Sequence, residues 1–425
     1  MKYKIGDFLK RVRVPVSIED NVDYQLVTIK VNHRGIVPRS TKKGIEIGSK
    51  TMYKVSEGQF ILSGIDARHG AFGIIPKELE GGVVTNDFWY FDYDEKIISK
   101  EYFLYLTSTP LFADVCRIAS EGTTNRVRLQ AKKFFDYEVW LPKVSEQHAV
   151  VEGVSSKEIE HKKLQTDLKT QSNLLSKLRQ AYLQEAVMGK LTEPSQDNAQ
   201  TLLKAIKSQK AELIKQGKLR KEKPLAPIKP EEIPFEIPDN WVWCRLGEAI
   251  VLGSGQDLQP HEYSDSDSEG LPYLTGASNF ENERVLVNRW TKTPKSIAVK
   301  GDLLITCKGS GIGKMAWLNE DKVHIARQIM SVRSSFIDTK YVKFILQLNT
   351  VKYRANAKSL IPGIDRDTIL LTLIPLPPLS EQKAIVAKVE RLLGNISLLE
   401  SENKAQQIEV QRLMGAVLQE AFGGR

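Results

Sequence analysis

The stretch with the most overt chemistry is Gly309-Ser310-Gly311-Ile312-Gly313-Lys314. Glycines ahead of a lysine can fold the backbone so that successive N–H groups face a phosphate. A nucleotide-binding loop, however, needs a glycine five residues before its Gly-Lys pair and a Ser or Thr after it. Those positions hold Lys308 and Met315. The dinucleotide fingerprint fails too, because its last glycine would fall on Lys314. What remains is a tight turn after the predicted strand 303–306, flanked by two lysines. Two readings of it stand: a backbone approach to a phosphate, or a structural hairpin turn. A comparable turn lies earlier, at Gly64-Ile65-Asp66-Ala67-Arg68-His69-Gly70. There Arg68 could fork onto guanine in a major groove.

Basic and polar side chains also gather where a DNA reader would want them. In the first half they are Arg34, Lys42, Lys43, Arg68, Arg126, Arg128, Lys132 and Lys133. In the second half they are Lys308, Lys314, Arg327, Gln328, Arg354, Lys358 and Arg366. Arg and Gln can read base edges in pairs of hydrogen bonds, whereas Lys mainly holds phosphate. Solvated surface charge is the competing reading for each. Catalytic constellations are missing: there is no Gly-x-Ser-x-Gly elbow, no His-Glu-x-x-His helix and no Asn/Asp-Pro-Pro-Tyr/Phe methyltransferase motif. Pro238-Asp239 and Glu248 do not complete a nuclease core, since Ala249-Ile250 stand where x-Lys is required. No histidine or cysteine has metal-ligand spacing, so catalytic, cofactor and metal residues are all expected to be absent.

The elements that would carry these turns are repeated. Leu141-Pro142-Lys143-Val144-Ser145-Glu146-Gln147 returns 235 positions later as Leu376-Pro377-Pro378-Leu379-Ser380-Glu381-Gln382. The register continues without a gap to Leu183-Gln184-Glu185-Ala186 and Leu418-Gln419-Glu420-Ala421, with eighteen identities in forty-nine positions. An ungapped repeat of that length suggests one regular element. Ser145 suits an N-cap, and no proline interrupts either copy. Leu164, Leu168, Leu175, Leu178 and Tyr182 mark a seam, as do Val389, Leu393, Ile396, Val410, Met414 and Val417 in the second copy. Each copy predicts a helix of about 45 residues, roughly 68 Å long.

The remaining segments echo one another as well. Residues 24–31 and 59–63 alternate or cluster as strands, and 102–118 suits a helix that Pro110 breaks or kinks. Ile5-Gly6-Asp7 parallels Leu246-Gly247-Glu248. The stretch 57–63 parallels 300–306, and Gly122-Thr123-Thr124-Asn125-Arg126 parallels Pro362-Gly363-Ile364-Asp365-Arg366. Between the halves lie a basic helix candidate at 201–217, the run Lys218-Leu219-Arg220-Lys221-Glu222-Lys223 and an extended connector with five prolines. The charge run reads either as solvated surface or as a phosphate or partner contact.

Length and composition agree. The 425 residues suit two or three domains. The net charge of +9 and pI near 9.1 favour a polyanionic partner. Three isolated cysteines argue for a reducing compartment, and no run of 18 apolar residues suggests a membrane span.

Together the Leu-Pro-x-x-Ser-Glu-Gln helix starts, the Leu-Gln-Glu-Ala helix ends and Ile237-Pro238-Asp239-Asn240-Trp241-Val242-Trp243 resemble the DNA-specificity subunits of Type I restriction-modification enzymes over nearly the full chain. The resemblance implies an α+β fold with internal pseudo-twofold duplication. Two mixed α/β target recognition domains (1–143 and 238–377) would be separated by two conserved helices (144–192 and 378–425) paired as an antiparallel coiled coil. Residues 193–237 would connect the halves. Each recognition domain would read one half of a split site in double-stranded DNA. The helix motifs, carried here by Ser145, Glu146, Gln147, Gln184, Glu185, Ser380, Glu381, Gln382, Gln419 and Glu420, would dock two modification subunits. Those bind S-adenosylmethionine and methylate adenine, and restriction subunits using ATP and Mg would join them. The chain itself would be non-catalytic, without a membrane partner, and prokaryotic, in the cytoplasm on DNA. A coiled-coil adaptor that binds only protein is the competing class.

Overall fold

A computed structural model describes residues 1–32, 34–121, 127–266, 270–309, 311–355 and 363–423. It divides the chain into two compact units, Met1–Thr170 with Asn403–Arg425, and Gln171–Glu402. Both long helices, Val144–Val187 and Leu379–Phe422, contribute a part to each unit.

In the first unit a four-stranded antiparallel sheet runs in the order Leu9–Val12, Phe88–Tyr93, Phe60–Ser63, Phe72–Ile74. Strand Phe60–Ser63 is buried throughout, as its run of apolar residues requires. A second sheet of five strands includes Asp23–Ile29 against Ile36–Lys43. The first of these ends two residues earlier than alternation predicts, because the chain turns at Asn32, whose φ is +60°. Aromatic rings fill the core: Phe60 meets Phe103 edge to face at 4.8 Å, and Phe72 meets Phe112 at 4.9 Å. Pro110 separates two helices rather than kinking one. Lys100–Thr107 ends before it, and Pro110 opens Pro110–Ile118 at the first-turn position where its missing N–H costs nothing.

The second unit repeats this plan. A six-stranded sheet runs Val251–Ser254, Ile329–Arg333, Leu303–Thr306, Met315–Trp317, Arg284–Val285, Phe280–Glu281 beside a five-stranded sheet. In each unit a short strand from the start of the domain pairs antiparallel with the strand that leads into a long helix. Lys2 pairs with Trp140, and Trp243 pairs with Pro375. The short helices Ile5–Phe8 and Leu246–Ala249 correspond, each closed by an acidic side chain that accepts from the backbone three residues back.

One expected parallel shifts in register. Gly122–Arg126 lie outside the described residues. The equivalent hydrogen bonds are Leu129 N–H to Gly64 O and Ile364 N–H to Cys307 O, each followed by a short helix, Ala131–Phe135 or Arg366–Leu370. Arg366 therefore corresponds to Ala131, not to Arg126.

The two long helices run antiparallel. In the first unit His161 Nε2 donates to Val410 O at 2.8 Å and Asn403 Nδ2 to Leu168 O at 3.1 Å. Leu168 and Asn403 occupy the same position of the repeat, so the two copies pair with themselves. In the second unit Arg179 bonds Ser397 and Glu400. The seam is narrower than the leucine spacing predicts. Leu168, Val389, Ile396 and Val417 are buried, but Leu164 and Leu178 remain 44% and 38% exposed. A helix pair buries one stripe per helix, and these two leucines lie outside it.

The connector is tied to the second unit. Buried Arg245 donates to the carbonyls of Ala226, Pro227 and Leu371 and pairs with Glu232 at 2.7 Å. The helix Ala199–Lys215 packs Leu203 and Ile206 into the same core as Trp241 and Leu246.

Candidate nucleic-acid interface

The repeated buried strand delivers a turn at the same place in each unit. In the first unit this turn is Gly64–Gly70. Ser63 Oγ accepts from the N–H groups of Ile65 and Asp66, and Gly70 closes the turn with φ +73°. The neighbouring loop donates Asn32 N–H to His69 O at 2.7 Å, which brings Arg34 to one flank. On the other flank Gly64 N–H bonds Asp87 O, and Asp87 pairs with Arg128 at 2.7 Å. Arg34, Arg68 and Arg128 thus share one surface. Arg68 Nε lies 2.8 Å from His69 Nε2, and Arg34 Nε donates to Val31 O.

Four of the other candidates lie elsewhere. Lys42 and Lys43 sit at the far end of the edge strand Ile36–Lys43. Extended chain of that length puts them roughly 25 Å from Arg34. Lys132 and Lys133 lie on the short helix Ala131–Phe135, packed near Ile5–Phe8. Arg126 is outside the described residues.

In the second unit the glycine stretch is the loop of a hairpin between Leu303–Thr306 and Met315–Trp317. Gly309 and Gly313 take φ of +84° and +79°. Glycine alone adopts such angles without strain. The N–H groups of Ile312, Gly313 and Lys314 all bond carbonyls within the hairpin. The phosphate-cradle reading is therefore corrected for these three residues, whose donors are already used. Lys308 and Lys314 remain exposed beside the turn. Arg327 and Gln328 join them through Cys307 N–H to Gln328 O, and Arg354 donates to Ile312 O at 2.6 Å. Arg327 is held by Asp257 at 2.6 Å. Arg366 lies apart: its guanidinium bonds Leu252 O and Glu222, so it acts as a clasp. Lys358 is outside the described residues.

Sequence reading missed the carboxylates that orient these arginines, Asp87 and Asp257, because lone aspartates in loops carry no spacing signal. It also missed Asn279. This buried side chain accepts from Thr275 and Gly276 and donates to Leu286 O and Asn288, fixing the loop beside Gln328. Cys307, next to Lys308, is buried, and burial pushes its thiol up to about 12. It is therefore unsuited to nucleophilic work. Among the described residues no group of three or more His, Cys, Asp or Glu could hold a metal. No described helix is long and apolar enough to cross a membrane.

The helix-start motif is chiefly a structural clamp. Gln147 is fully buried: its Nε2 donates to Ile97 O and Pro142 O, and its Oε1 accepts from Ser99 N–H. Gln382 repeats this with Pro377 O and Asp338 N–H. Glu381 is also buried and gathers Trp241 Nε1, Asn240 Nδ2 and Ser195 N–H at 2.6–2.7 Å. These three side chains are turned inward and give a docking partner no surface. Ser145, Glu146, Gln184, Glu185, Ser380, Gln419 and Glu420 are exposed. Ser380 Oγ bonds Asp197, and Glu420 lies 3.6 Å from Lys157.

A turn with Arg, Lys or Gln side chains around it is thus built once in each unit. Residues 238–410 match the Type I restriction modification DNA specificity domain. The EcoEI and EcoAI specificity subunits of Escherichia coli are 30% and 31% identical over 254 and 244 residues, 55% and 52% of this chain. Those matches cover 43% and 40% of the relatives, so the chain spans less than half the length of these two. The EcoDI specificity subunit of the same organism is 24% identical over 78% of this chain and 71% of its own. A solved chain from a study of assembly and conformational transition in a type I R-M system shares the fold at TM-score 0.69, with 18% identity over 99% of this chain and 97% of that one. The HsdS subunit from Thermoanaerobacter tengcongensis does so at 0.59, with 18% identity over 100% and 96%. Residues 238–410 thus resemble a Type I restriction DNA-specificity domain, and the whole chain shares its fold with these two solved structures.

Proposed function

We propose that this chain is the non-catalytic specificity subunit of a Type I restriction-modification complex, reading a split DNA site with one half per recognition domain. The observation that carries this reading is the repeated turn: Arg34, Arg68 and Arg128 converge on one, and Lys308, Arg327 and Gln328 on the other. Arg and Gln at such positions discriminate bases, and neighbouring lysines hold phosphates.

Modification subunits would dock along the long helices. Exposed apolar side chains favour this: Ile159, Leu164, Ile408 and Leu413 in the first unit, and Leu174, Leu178, Leu398 and Leu399 in the second. S-adenosylmethionine would be held by those partners, and ATP and Mg by restriction subunits. Cytoplasmic work on DNA follows from this role.

Methylome sequencing of a host expressing the chain with its modification partner tests the proposal. A split adenine-methylated motif that vanishes on deletion of this chain is expected. In the same assay Arg68→Ala degrades one half-site and Lys308→Ala the other. An assembled complex that methylates no split motif would overturn the reading in favour of a protein-only adaptor.

A further inference from the structure

The run 218–223 does not project freely from the second unit. It lies across Val251–Ser254, the edge strand of the six-stranded sheet, and closes one side of an open groove of about 940 Å³. Both ends of the run are anchored. Upstream, Lys210 Nζ donates to Gly247 O and Ile250 O at 2.7 and 2.8 Å. Downstream, Arg245 grips the carbonyls of Ala226 and Pro227. Midway, Glu222 is taken by Arg366.

This clasp removes the run's only acid from play. Among the described residues no ion pair or side-chain hydrogen bond engages Lys218, Arg220, Lys221 or Lys223. Across the groove stands Lys295, shared with Glu262. The field is thus positive along one exposed strip, which a chain of like-spaced anions would neutralise best.

The groove also leads to the reading surface. Gly255 and Gln256 line it, and Gln256 N–H bonds Ile325 O. The next residue, Asp257, holds Arg327. Six extended residues reach at most about 20 Å, the rise of roughly six base pairs.

We propose that Lys218, Arg220, Lys221 and Lys223 form a strap that binds the sugar-phosphate backbone of DNA flanking the second half-site. This rests on the DNA-reading function proposed above and adds an affinity element outside the recognition domain. The strap reads no bases; it strengthens binding and keeps the DNA in register.

The test replaces all four by glutamine (K218Q, R220Q, K221Q, K223Q) in the full chain, leaving Glu222 and Arg366 in place. Binding to a duplex with the split site and to an unrelated duplex of equal length is measured by fluorescence anisotropy at several salt concentrations. Each lost phosphate contact lowers the slope of log K against log salt by about 0.9, so the slope falls by roughly 2–4. Affinity falls by a similar factor on both duplexes, and the melting temperature is unchanged. An unchanged slope in a variant of a wild type that binds DNA overturns the strap alone. A loss confined to the specific duplex overturns it too, since that is base reading. A wild type with no salt-dependent binding overturns both the DNA-reading proposal and the strap.

Discussion

Glu146 and Glu381 hold the same position of the repeat, yet their surroundings make them different residues. Glu381 is buried; burial pushes its carboxyl up, but hydrogen bonds from Ser195, Trp241 and Asn240 outweigh this and hold it below the usual carboxylate range. Glu146 is exposed and, among the described residues, accepts only from Lys143 N–H, at 3.2 Å. Removing a buried acceptor strands its donors, so Glu381→Ala is expected to cost about 2–4 kcal/mol, while Glu146→Ala stays within about 0.5 kcal/mol. Urea unfolding of the two variants checks this, and equal effects would show that the inward hydrogen bonds do not matter. His324 supplies a pH dependence. Burial lowers its pKa; Gln256 O, to which Nε2 donates, works against this, and Lys295 adds to it. A base with a depressed folded pKa takes up protons more readily when unfolded. Its stabilising effect is therefore complete above about pH 6.5 and declines as pH falls below that toward the folded value. Melting temperatures from pH 7.5 to 5.5 should fall for the wild type and fall less for His324→Gln.

At the scale of elements, legibility followed the range of the interactions. Strand Leu303–Thr306, the helix Ala199–Lys215 and the long helices Val144–Val187 and Leu379–Phe422 were readable because propensity, breakers and repeat register are local. The antiparallel pairing was legible through family resemblance, with the contact between Leu168 and Asn403 as its structural counterpart. The width of the seam was not legible, because which leucines escape burial depends on the partner helix. Of the candidate site, the placement of Arg68 and Lys308 at turns was legible from glycine spacing. Arg366 was misjudged: its role as a clasp depends on Glu222, which is 144 positions away. The inward roles of Gln147, Glu381 and Gln382 were hidden for the same reason, since a motif shared by two helix starts looks alike whether it faces solvent or the core.

For the molecule as a whole, the proposed function requires both turn-bearing domains to be held to one DNA, and the net charge of +9 suits such a polyanion. The device available for that is the helix pair, whose members are 44 residues each. At a rise of about 1.5 Å per residue, each is roughly 66 Å long. If helix length sets the gap between half-sites, shortening both helices together must change that gap and nothing else. Deleting residues 171–177 and 394–400 removes one heptad from each helix at facing positions, preserving the antiparallel register. It forfeits the partly exposed pair Arg179–Glu400, which is worth little on its own. Seven residues are about 10.5 Å of helix, equivalent to roughly three base pairs of rise. The methylome of a host carrying the shortened chain should then show both original half-site sequences separated by a spacer about three bases shorter, or, because the half-sites would rotate around the duplex, markedly slower methylation at that spacing. Unchanged spacing at full activity would mean that the recognition domains, rather than the helices, set the distance. Altered half-site sequences would mean that the helices shape the reading surfaces themselves.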